Sequence, residues 1–132
     1  MQKGLPPDAV SIRTAVFIQE QGFCGEFDEI DTSALHFVLY EQGQAAATAR
    51  LFSQNGKWII GRVAVLKSFR GRGLGSAIMK RIITFAREQG IKSLILHAQC
   101  AAVPFYESLG FHCFGNSDEE EGVPHRFMRL TL

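Results

Sequence analysis

Short apolar runs separated by turn signals characterise the first half of the chain. A helix is predicted to begin at Pro6-Pro7-Asp8, because apolar residues then recur near one helical face. These apolar residues are Ala9, Ile12, Val16 and Phe17. A polar, acidic loop follows over residues 21–32, and strands are predicted over residues 35–40, 45–52 and 58–66. Gln42-Gly43 and Asn55-Gly56 are expected to form the tight turns between these strands.

From Leu74 onwards the apolar positions change to a helical period. They form one stripe made of Leu74, Ala77, Ile78, Ile82, Phe85 and Ala86. Gly90 is expected to end this helix, and a short buried strand follows over residues 93–96. A second helix is predicted to carry Ala102, Phe105, Tyr106 and Leu109, with Pro104 in its first turn and Gly110 at its end. Residues 111–114 and 125–130 are predicted to be a final strand pair around an acidic loop, 117–121. Hairpins followed by strand, helix, strand, helix and strands predict an α/β (α+β) fold with a mixed sheet.

Length and composition add limits to this picture. The 132 residues suit a single domain over 1–132, and a net charge of +1 gives no global reason to expect nucleic acid or a membrane as a partner. Cys24, Cys100 and Cys113 are odd in number and lack metal-ligand spacing, so we expect reduced thiols and no metal site. The N-terminal residues contain no apolar core of a secretion signal, and no apolar run could span a bilayer. A cytoplasmic enzyme or binding domain is therefore expected.

The segment Arg70-Gly71-Arg72-Gly73-Leu74-Gly75-Ser76 lies between a predicted strand and the amphipathic helix. Glycines allow a backbone to approach an anion closely, and free N–H groups at a helix start point towards it. The segment lacks the lysine of a P-loop and the glycine spacing of a Rossmann loop. It therefore predicts a pyrophosphate site of another kind, although a flexible basic turn would have the same composition.

This loop and the elements after it resemble the GNAT superfamily of N-acetyltransferases. The family loop, Arg/Gln-x-x-Gly-x-Gly/Ala, is met by Arg70, Gly73 and Gly75. A second family pattern places Asn, Ala, Tyr, Gly and Phe at fixed spacing through the next strand and helix. Those positions hold Gln99, Ala102, Tyr106, Gly110 and Phe111.

Further short matches resemble the ElaA/YjcF-like branch of that superfamily. In the first part of the chain they are Val16-Phe17, Glu20-Gln21, Asp31 and His36. In the last part they are Ala102-Val103-Pro104-Phe105-Tyr106 and Gly122-Val123-Pro124-His125. The matches extend from about Arg13 to Met128, so the resemblance concerns nearly the whole chain.

The resemblance implies a GNAT-like fold, namely a mixed, mostly antiparallel sheet of six to seven strands with flanking helices and splayed central strands. It also implies that acetyl-coenzyme A is the co-substrate, held without a metal in the gap between the splayed strands. The cofactor-binding residues implied in this way are Val63, Ala64, Val65, Arg70, Gly71, Arg72, Gly73, Leu74, Gly75, Ser76, Gln99, Phe105 and Tyr106. An acceptor amine would attack the thioester directly, so Cys100 is interpreted as a bystander.

Two proton transfers need residues in this mechanism. Tyr106 matches the family position of the general acid that protonates the leaving thiolate. Candidates for the base, or for positioning the acceptor, are Glu20, His36, His97 and His125, each of which also fits a structural role. The acidic residues Glu26, Asp28, Glu29 and Asp31 suggest either a solvated face or attraction of a cationic amine.

Two other functions and one assembly remain open from the sequence. A non-catalytic acyl-CoA-binding regulatory domain would keep the glycine loop, but the retained Tyr106 argues against it. A nucleic-acid module would use Arg62, Arg70, Arg72, Lys80 and Arg81. The net charge near zero and the lack of an aromatic stacking platform beside these residues argue against that module, so no nucleic-acid partner is expected. The acceptor would be a small-molecule or peptide amine. Residues 1–5 are too short for the strand with which relatives usually begin, so we expect an exposed sheet edge near Leu35 that is covered by a segment or by a homodimer partner.

Overall fold

The computed structural model describes residues 1–23 and 26–132, which form a seven-stranded sheet with helices on both faces. The strands are β1 (Gln2–Lys3), β2 (Leu35–Glu41), β3 (Gln44–Gln54), β4 (Lys57–Val65), β5 (Ser93–Gln99), β6 (His112–Glu120) and β7 (Val123–Thr131). The α-helices are α1 (Pro7–Arg13), α2 (Leu74–Glu88) and α3 (Val103–Glu107). A π-helical segment, Thr14–Glu20, continues α1, and 3₁₀ turns occupy Glu29–Thr32, Lys67–Phe69 and Cys100–Ala102. No helix in the described part of the chain is long and apolar enough to cross a membrane.

The strand order is β1-β2-β3-β4-β5-β7-β6, and every neighbouring pair is antiparallel except β4 and β5. The parallel pair requires a crossover, which α2 provides. This arrangement confirms the predicted mixed, mostly antiparallel sheet. Cys24, whose reduced state was predicted, lies outside the described residues.

Tight turns join the antiparallel pairs. Asn55 and Gly56 both have positive φ, 54° and 75°, which is the backbone of a two-residue hairpin turn whose twist matches the strands. The predicted turn at Gln42-Gly43 has the same form. The predicted acidic loop over 117–121 is wrong, because β6 continues to Glu120 and Glu121-Gly122 makes the turn into β7. The acidic side chains of this segment therefore lie along a strand.

The N-terminal residues supply β2 with the neighbouring strand that was predicted to be missing. Gln2 and Lys3 pair with His36 and Leu35, so β1 is present although it is only two residues long. The expectation that this edge has no neighbour is therefore wrong for the first part of β2. Beyond it, the exposed Tyr40 donates a hydrogen bond to Asp8 of α1. Pairing of the remaining edge with a second copy stays a prediction.

The two long helical segments cover opposite faces of the sheet. Ile12, Val16 and Phe17 pack against Ala64, whereas Val63 and Val65 pack with the cluster under α2. Side chains alternate between faces along a strand, so α1 and α2 cannot share one face. The buried residues of α2 are Leu74, Ile78, Met79, Ile82, Ile83 and Ala86, which confirms the predicted amphipathic helix. Two positions of the predicted stripe differ, because Ala77 is exposed and Phe85 is only partly buried.

A buried ion network holds the acidic segment against the sheet. Arg13, at the end of α1, donates to Glu26 Oε1 at 2.8 Å and to Asp31 Oδ1 at 2.7 Å, and its side chain is 1% exposed. Arg50 donates to Asp28 and Asp31, both at under 3 Å. Burial by itself would raise the pKa of Asp31, but the hydrogen bonds from Arg13, the Asp28 N–H and Arg50 outweigh it and lower the pKa to about 2. The charges of this network are therefore matched inside the protein.

Arg62 extends the network to β4, where it lies 3.1 Å from Glu26 and 3.5 Å from Asp28. Three guanidinium groups thus face the three carboxylates of Glu26, Asp28 and Asp31. The interpretation of this acidic segment as an attractor of a cationic amine is corrected, because these three carboxylates already have arginine partners.

We expect Arg13→Met to destabilise the fold by about 3 kcal/mol, because the neutral side chain keeps most of the aliphatic stem and leaves two buried carboxylates with one guanidinium fewer than they need. Urea unfolding at neutral pH measures the change. Arg81→Met, on the exposed face of α2, is the matched control and is expected to change the free energy of unfolding by less than about 0.5 kcal/mol. Equal changes in the two variants would contradict a structural role for the network.

Candidate active site

The parting of β4 from β5 opens a cleft in the middle of the sheet. Their parallel pairing includes only Trp58–Ile60 and Leu94–Leu96, and the following residues of each strand have no partner across the gap. The cleft has a volume of about 220 Å³ and is lined by both strands, by α3 and by the end of the β6–β7 hairpin. The predicted splaying of the central strands is confirmed.

A β-bulge in β4 accompanies the parting. Thr48 of β3 pairs with Ala64 while Arg50 pairs with Gly61, so β4 has one more residue than β3 between these pairs. Arg62 adopts a φ of 52° at this point, a conformation that L-residues other than glycine rarely adopt. The bulge bends β4 away from β5, and its backbone is held by the Arg62 side chain, which donates to the Glu26 carbonyl oxygen at 3.1 Å.

The glycine loop lies at the end of β4 and the start of α2. Gly71 and Gly73 have φ values of 79° and 76°, and Gly73 is the residue preceding the first turn of α2. No described residue accepts a hydrogen bond from the backbone N–H groups over 71–76. Free N–H groups at the positive end of a helix form a site for an anion. The loop therefore has the free backbone donors that binding of an anion requires.

Gly75 has a packing reason to be glycine. A Cβ atom at this position would lie 3.3 Å from the Phe105 ring and 3.7 Å from Val65. The missing side chain lets the first turn of α2 approach α3 and β4 closely. Phe105 therefore lies beside the loop, and its expected contact with the cofactor stays a prediction.

Arg70 is engaged by protein groups. Its two terminal nitrogens donate to the Glu20 carboxylate at 2.7 and 2.8 Å, and its Nε donates to the Val65 carbonyl oxygen at 3.0 Å. The hydrogen bond from Arg70 lowers the pKa of Glu20, which weakens this carboxylate as a base. The pair ties the helical segment that follows α1 to the glycine loop. Arg72 has no carboxylate partner among residues 1–23 and 26–132, and its guanidinium lies over the Phe69 ring.

Tyr106 reaches the cleft from α3. Its ring packs edge-on against Phe105 and Phe111, with centroids 5.0 and 6.1 Å away. Burial raises the pKa of the phenol to about 12, because the charged phenolate would lose its hydration. The hydroxyl forms no hydrogen bond with any residue that the structure describes, and Tyr106 lines the cleft. The phenol is therefore a protonated donor that remains available to a ligand.

The candidate bases are separated by the fold. His36 is 1% exposed, its Nε2 lies 3.0 Å from the Asp31 carbonyl oxygen, and it does not line the cleft. Burial also lowers the pKa of His36. The structure therefore does not bring His36 to the cleft and pairs Glu20 with Arg70 instead. His97 and His125 both line the cleft, with ring centroids 4.6 Å apart.

Gln99 also lines the cleft, and its amide donates to the Gln21 side chain at 2.9 Å. Cys100 follows at the end of β5 as a half-buried free thiol. The proposed nucleic-acid surface does not form as one free basic patch, because Arg62 and Arg70 are both paired with carboxylates.

Sequence reasoning missed the contribution of Glu120 and Glu121, which line the cleft at the end of the β6–β7 hairpin. They were assigned to a loop. Gly122 is the signal that the sequence offers, because two-residue hairpin turns need a positive φ that glycine adopts readily. The bulge at Arg62 had no comparable signal in the sequence.

Comparisons with known proteins agree with this geometry. The profile of the acetyltransferase (GNAT) domain family matches residues 7–132. The chain belongs to the GNAT acetyltransferase family. Among its relatives is the N-acetyltransferase YjcF of Bacillus subtilis, 34% identical over 89% of this chain and 86% of that protein.

Two solved structures illustrate the extent of the similarity. Escherichia coli ElaA is 28% identical over 93% of this chain and 87% of its own, with a TM-score of 0.85. A GNAT family acetyltransferase of Elizabethkingia anophelis with acetyl-CoA bound is 16% identical over 100% of this chain and 95% of its own, with a TM-score of 0.77, which shows the fold alone. The chain is thus a GNAT acyl-CoA-dependent N-acetyltransferase of the ElaA/YjcF-like branch.

The buried phenol of this GNAT cleft makes a direct spectroscopic prediction. The chain has two tyrosines, so Tyr40→Phe leaves Tyr106 as the only phenol. In the folded variant, tyrosinate absorbance is expected only as the pH approaches about 12, whereas the unfolded chain ionises near 10.0. Because the folded state keeps the proton longer, the free energy of unfolding should fall as the pH rises from 10.0 towards 12. Ionisation near 10.0 while circular dichroism still reports a folded protein would contradict the assigned burial.

Proposed function

We propose that this protein transfers the acetyl group of acetyl-CoA directly to an amine of a small molecule or peptide, with residues 1–132 forming the one catalytic domain. The observation that carries the proposal is the cleft between the parted strands β4 and β5. A protonated phenol lies within the cleft, and the glycine loop with its free helix N–H groups follows the parted end of β4. GNAT membership supports acyl transfer, and the site geometry supports this more specific activity.

The glycine loop would bind the pyrophosphate of the cofactor. Backbone N–H groups over 71–76 supply donors at the positive end of α2, and Arg72 adds a guanidinium without a carboxylate partner in the described residues. Arg70 contributes differently from the expectation, because its pairing with Glu20 and Val65 holds the loop in position. The bound acetyl-CoA in the Elizabethkingia anophelis structure of the same fold is consistent with such a site.

The parted edge of β4 would hold the pantetheine arm. Along Gly61–Val65 this strand faces a gap instead of β5, so an extended arm can pair with it as an added strand. The thioester would then lie beside Val63 and Val65. A backbone N–H directed into this gap can stabilise the negative charge that develops on the carbonyl oxygen during attack.

Tyr106 is suited to protonate the departing thiolate. Its phenol stays protonated at neutral pH because burial raises the pKa to about 12, and its hydroxyl has no hydrogen-bond partner among the described residues. The S–C bond of the thioester breaks as the amine nitrogen bonds to the carbonyl carbon. The phenol proton then passes to the sulfur.

The proton that the acceptor ammonium must lose would go to the imidazoles of the cleft. His97 has a side chain that is 26% exposed, and His125 lies beside it with 6% exposure. Either ring can take the proton directly or through a water molecule. Glu20 and His36 are less suited to this role, because Glu20 is bound to Arg70 and His36 lies outside the cleft.

Gly73→Val is expected to abolish acetyl-CoA binding, because a β-branched side chain would stand where the pyrophosphate approaches the backbone. Titration calorimetry of the folded variant measures the loss. Gly90→Val is the matched control, since Gly90 also flanks α2, has a φ of 74° and has open space around its Cβ position. The control should show a similar loss of stability with the affinity preserved. Unchanged affinity in Gly73→Val would place the phosphate site elsewhere.

Tyr106→Phe is expected to lower kcat by about 10²-fold, because it removes a proton donor that acts chiefly in the transition state. The Kd for acetyl-CoA should change only a few-fold. A thiol-release assay with a panel of amines measures kcat, and calorimetry measures Kd. Tyr40→Phe is the control, because its exposed phenol bonds Asp8 away from the cleft. Full turnover in Tyr106→Phe would rule out the acid role. If the wild-type protein binds the cofactor but turns over no amine, the result would instead favour a regulatory binding domain.

A further inference from the structure

His97, Glu120 and His125 bring three potential ligand atoms together on the side of the cleft formed by β5, β6 and β7. The Oε2 atom of Glu120 lies 3.6 Å from His97 Nδ1 and 3.8 Å from His125 Nε2. All three ligand atoms lie within 4.8 Å of one another. These residues show no metal-ligand spacing along the chain, because they come from three different strands.

The second nitrogen of each ring is fixed by an acceptor. His97 Nε2 lies 2.7 Å from Asp118 Oδ1, and His125 Nδ1 lies 2.7 Å from the Val123 carbonyl oxygen. A carboxylate or a carbonyl oxygen can only accept, so both of these nitrogens carry a proton and donate. When each imidazole is neutral, its remaining nitrogen therefore presents a lone pair towards Glu120.

Three acceptors thus face one another without a donor between them. The separations of 3.6 and 3.8 Å from Glu120 exceed a hydrogen bond, and His125 Nε2 has no hydrogen-bond partner among the residues described although His125 is only 4% exposed. Such an arrangement is repulsive unless a proton or a metal cation lies between the three acceptors, and a metal cation could contact all three at once. Stacking of His97 on Phe127, with centroids 4.4 Å apart, further fixes one of the rings.

The arrangement has the features of a site for a transition-metal ion. In a tetrahedral zinc site with bonds of about 2.0–2.1 Å, neighbouring ligand atoms lie about 3.4 Å apart. The separations of 3.6 and 3.8 Å from Glu120 are close to this value, whereas the full set lies within 4.8 Å, so the two rings would move closer together on binding an ion. Metal-bound histidines normally donate their other N–H to a carboxylate or a backbone carbonyl, which is what Asp118 and Val123 accept. Two imidazoles and one carboxylate favour zinc, cobalt or nickel over magnesium or calcium.

We propose that His97, Glu120 and His125 bind one divalent transition-metal ion of the zinc class, with Asp118 orienting the ring of His97. Glu120 is half exposed, so an ion can enter from solvent, and all three residues line the cleft. The ion would occupy the lone pairs of the two imidazoles and so would inhibit amine deprotonation there. Metal binding itself does not rest on the proposed function, although this inhibition does.

Titration calorimetry of the full reduced chain with zinc chloride and with cobalt chloride tests the proposal directly. One ion should bind per chain, while magnesium chloride should give no saturable heat. The cobalt complex should show the ligand-field absorbance of a nitrogen and oxygen site and no thiolate-to-cobalt charge transfer, which separates this site from binding by the three cysteines.

Glu120→Gln is expected to weaken zinc binding by more than about tenfold, because it replaces the anionic ligand. Asp118→Asn is expected to weaken zinc binding by about tenfold, because the neutral amide orients the ring of His97 less firmly. Glu119→Gln is the matched control for Glu120, since neighbouring strand residues point to opposite faces. His112→Asn, at the other end of β6, is the control for general histidine binding. Both controls should bind zinc as the wild type does. Because Glu120 is half exposed, its substitution should leave the fold intact, which a thermal melt checks.

Absence of saturable zinc or cobalt binding to the folded wild type would overturn the proposal. Equal affinities in Glu120→Gln and Glu119→Gln would also overturn it, since binding would then lie elsewhere. Failure of the acetyltransferase proposal is recognised separately, by wild-type protein that shows no turnover with any amine in metal-free buffer. Zinc binding that leaves turnover unchanged would refute only the inhibition.

Discussion

The early end of the pairing between β4 and β5 is the constraint on which the rest of the site depends. Backbone N–H and C=O groups in a protein interior need partners, and the segment of β4 beyond Ile60 no longer has them on its β5 side. The bulge at Arg62 bends β4 away from its neighbour, so the gap is built into the strand. The cleft, the free strand edge and the position of the glycine loop beyond Val65 all follow from this one departure from regular pairing.

The buried ion network gives this departure its mechanical support. Arg62, at the bulge, shares Glu26 with Arg13 at the end of α1, and Arg50 of β3 joins the same cluster through Asp28 and Asp31. One cluster therefore connects the first helix, the acidic segment and the two strands β3 and β4, between which the bulge occurs. A buried pair of charges adds little net stability compared with apolar packing, but removing one member is costly. Such a cluster is thus better understood as fixing one arrangement of these elements.

Charge is distributed unevenly between the two ends of the cleft. The glycine loop presents backbone N–H groups and Arg72, while the β6–β7 hairpin presents Glu120 and Glu121 beside two histidines. The Glu20–Arg70 pair lies next to the loop and neutralises one guanidinium there, so attraction of a phosphate relies on the helix start and on Arg72. Tyr106 lies within the cleft, where burial keeps its phenol neutral. A negatively charged ligand is therefore favoured at the glycine loop and disfavoured at the hairpin.

The sequence by itself determined the features that depend on residues close together in the chain. The stripe of α2, the turns at Gln42-Gly43 and Asn55-Gly56 and the glycine loop could all be predicted, because helical periodicity, turn backbone and helix starts are local properties. The two family patterns added the fold and the position of Tyr106. The assignment of 117–121 to a loop failed because composition alone does not distinguish an acidic loop from an acidic strand.

Only the tertiary structure decided which distant charges meet. Glu20 and Arg70 are 50 positions apart, and Arg13 reaches Asp31 across 18, so no local pattern shows that these carboxylates are already paired. The same holds for His97, Glu120 and His125, whose approach requires the register of three strands. Strand register is set by the pairing of whole elements, and a shift of one residue would turn each side chain to the other face. The sequence could therefore name the candidate residues for the chemistry. It could not show which of them have their side chains occupied by another residue, as Glu20 has, and which remain available in the cleft, as His97 does.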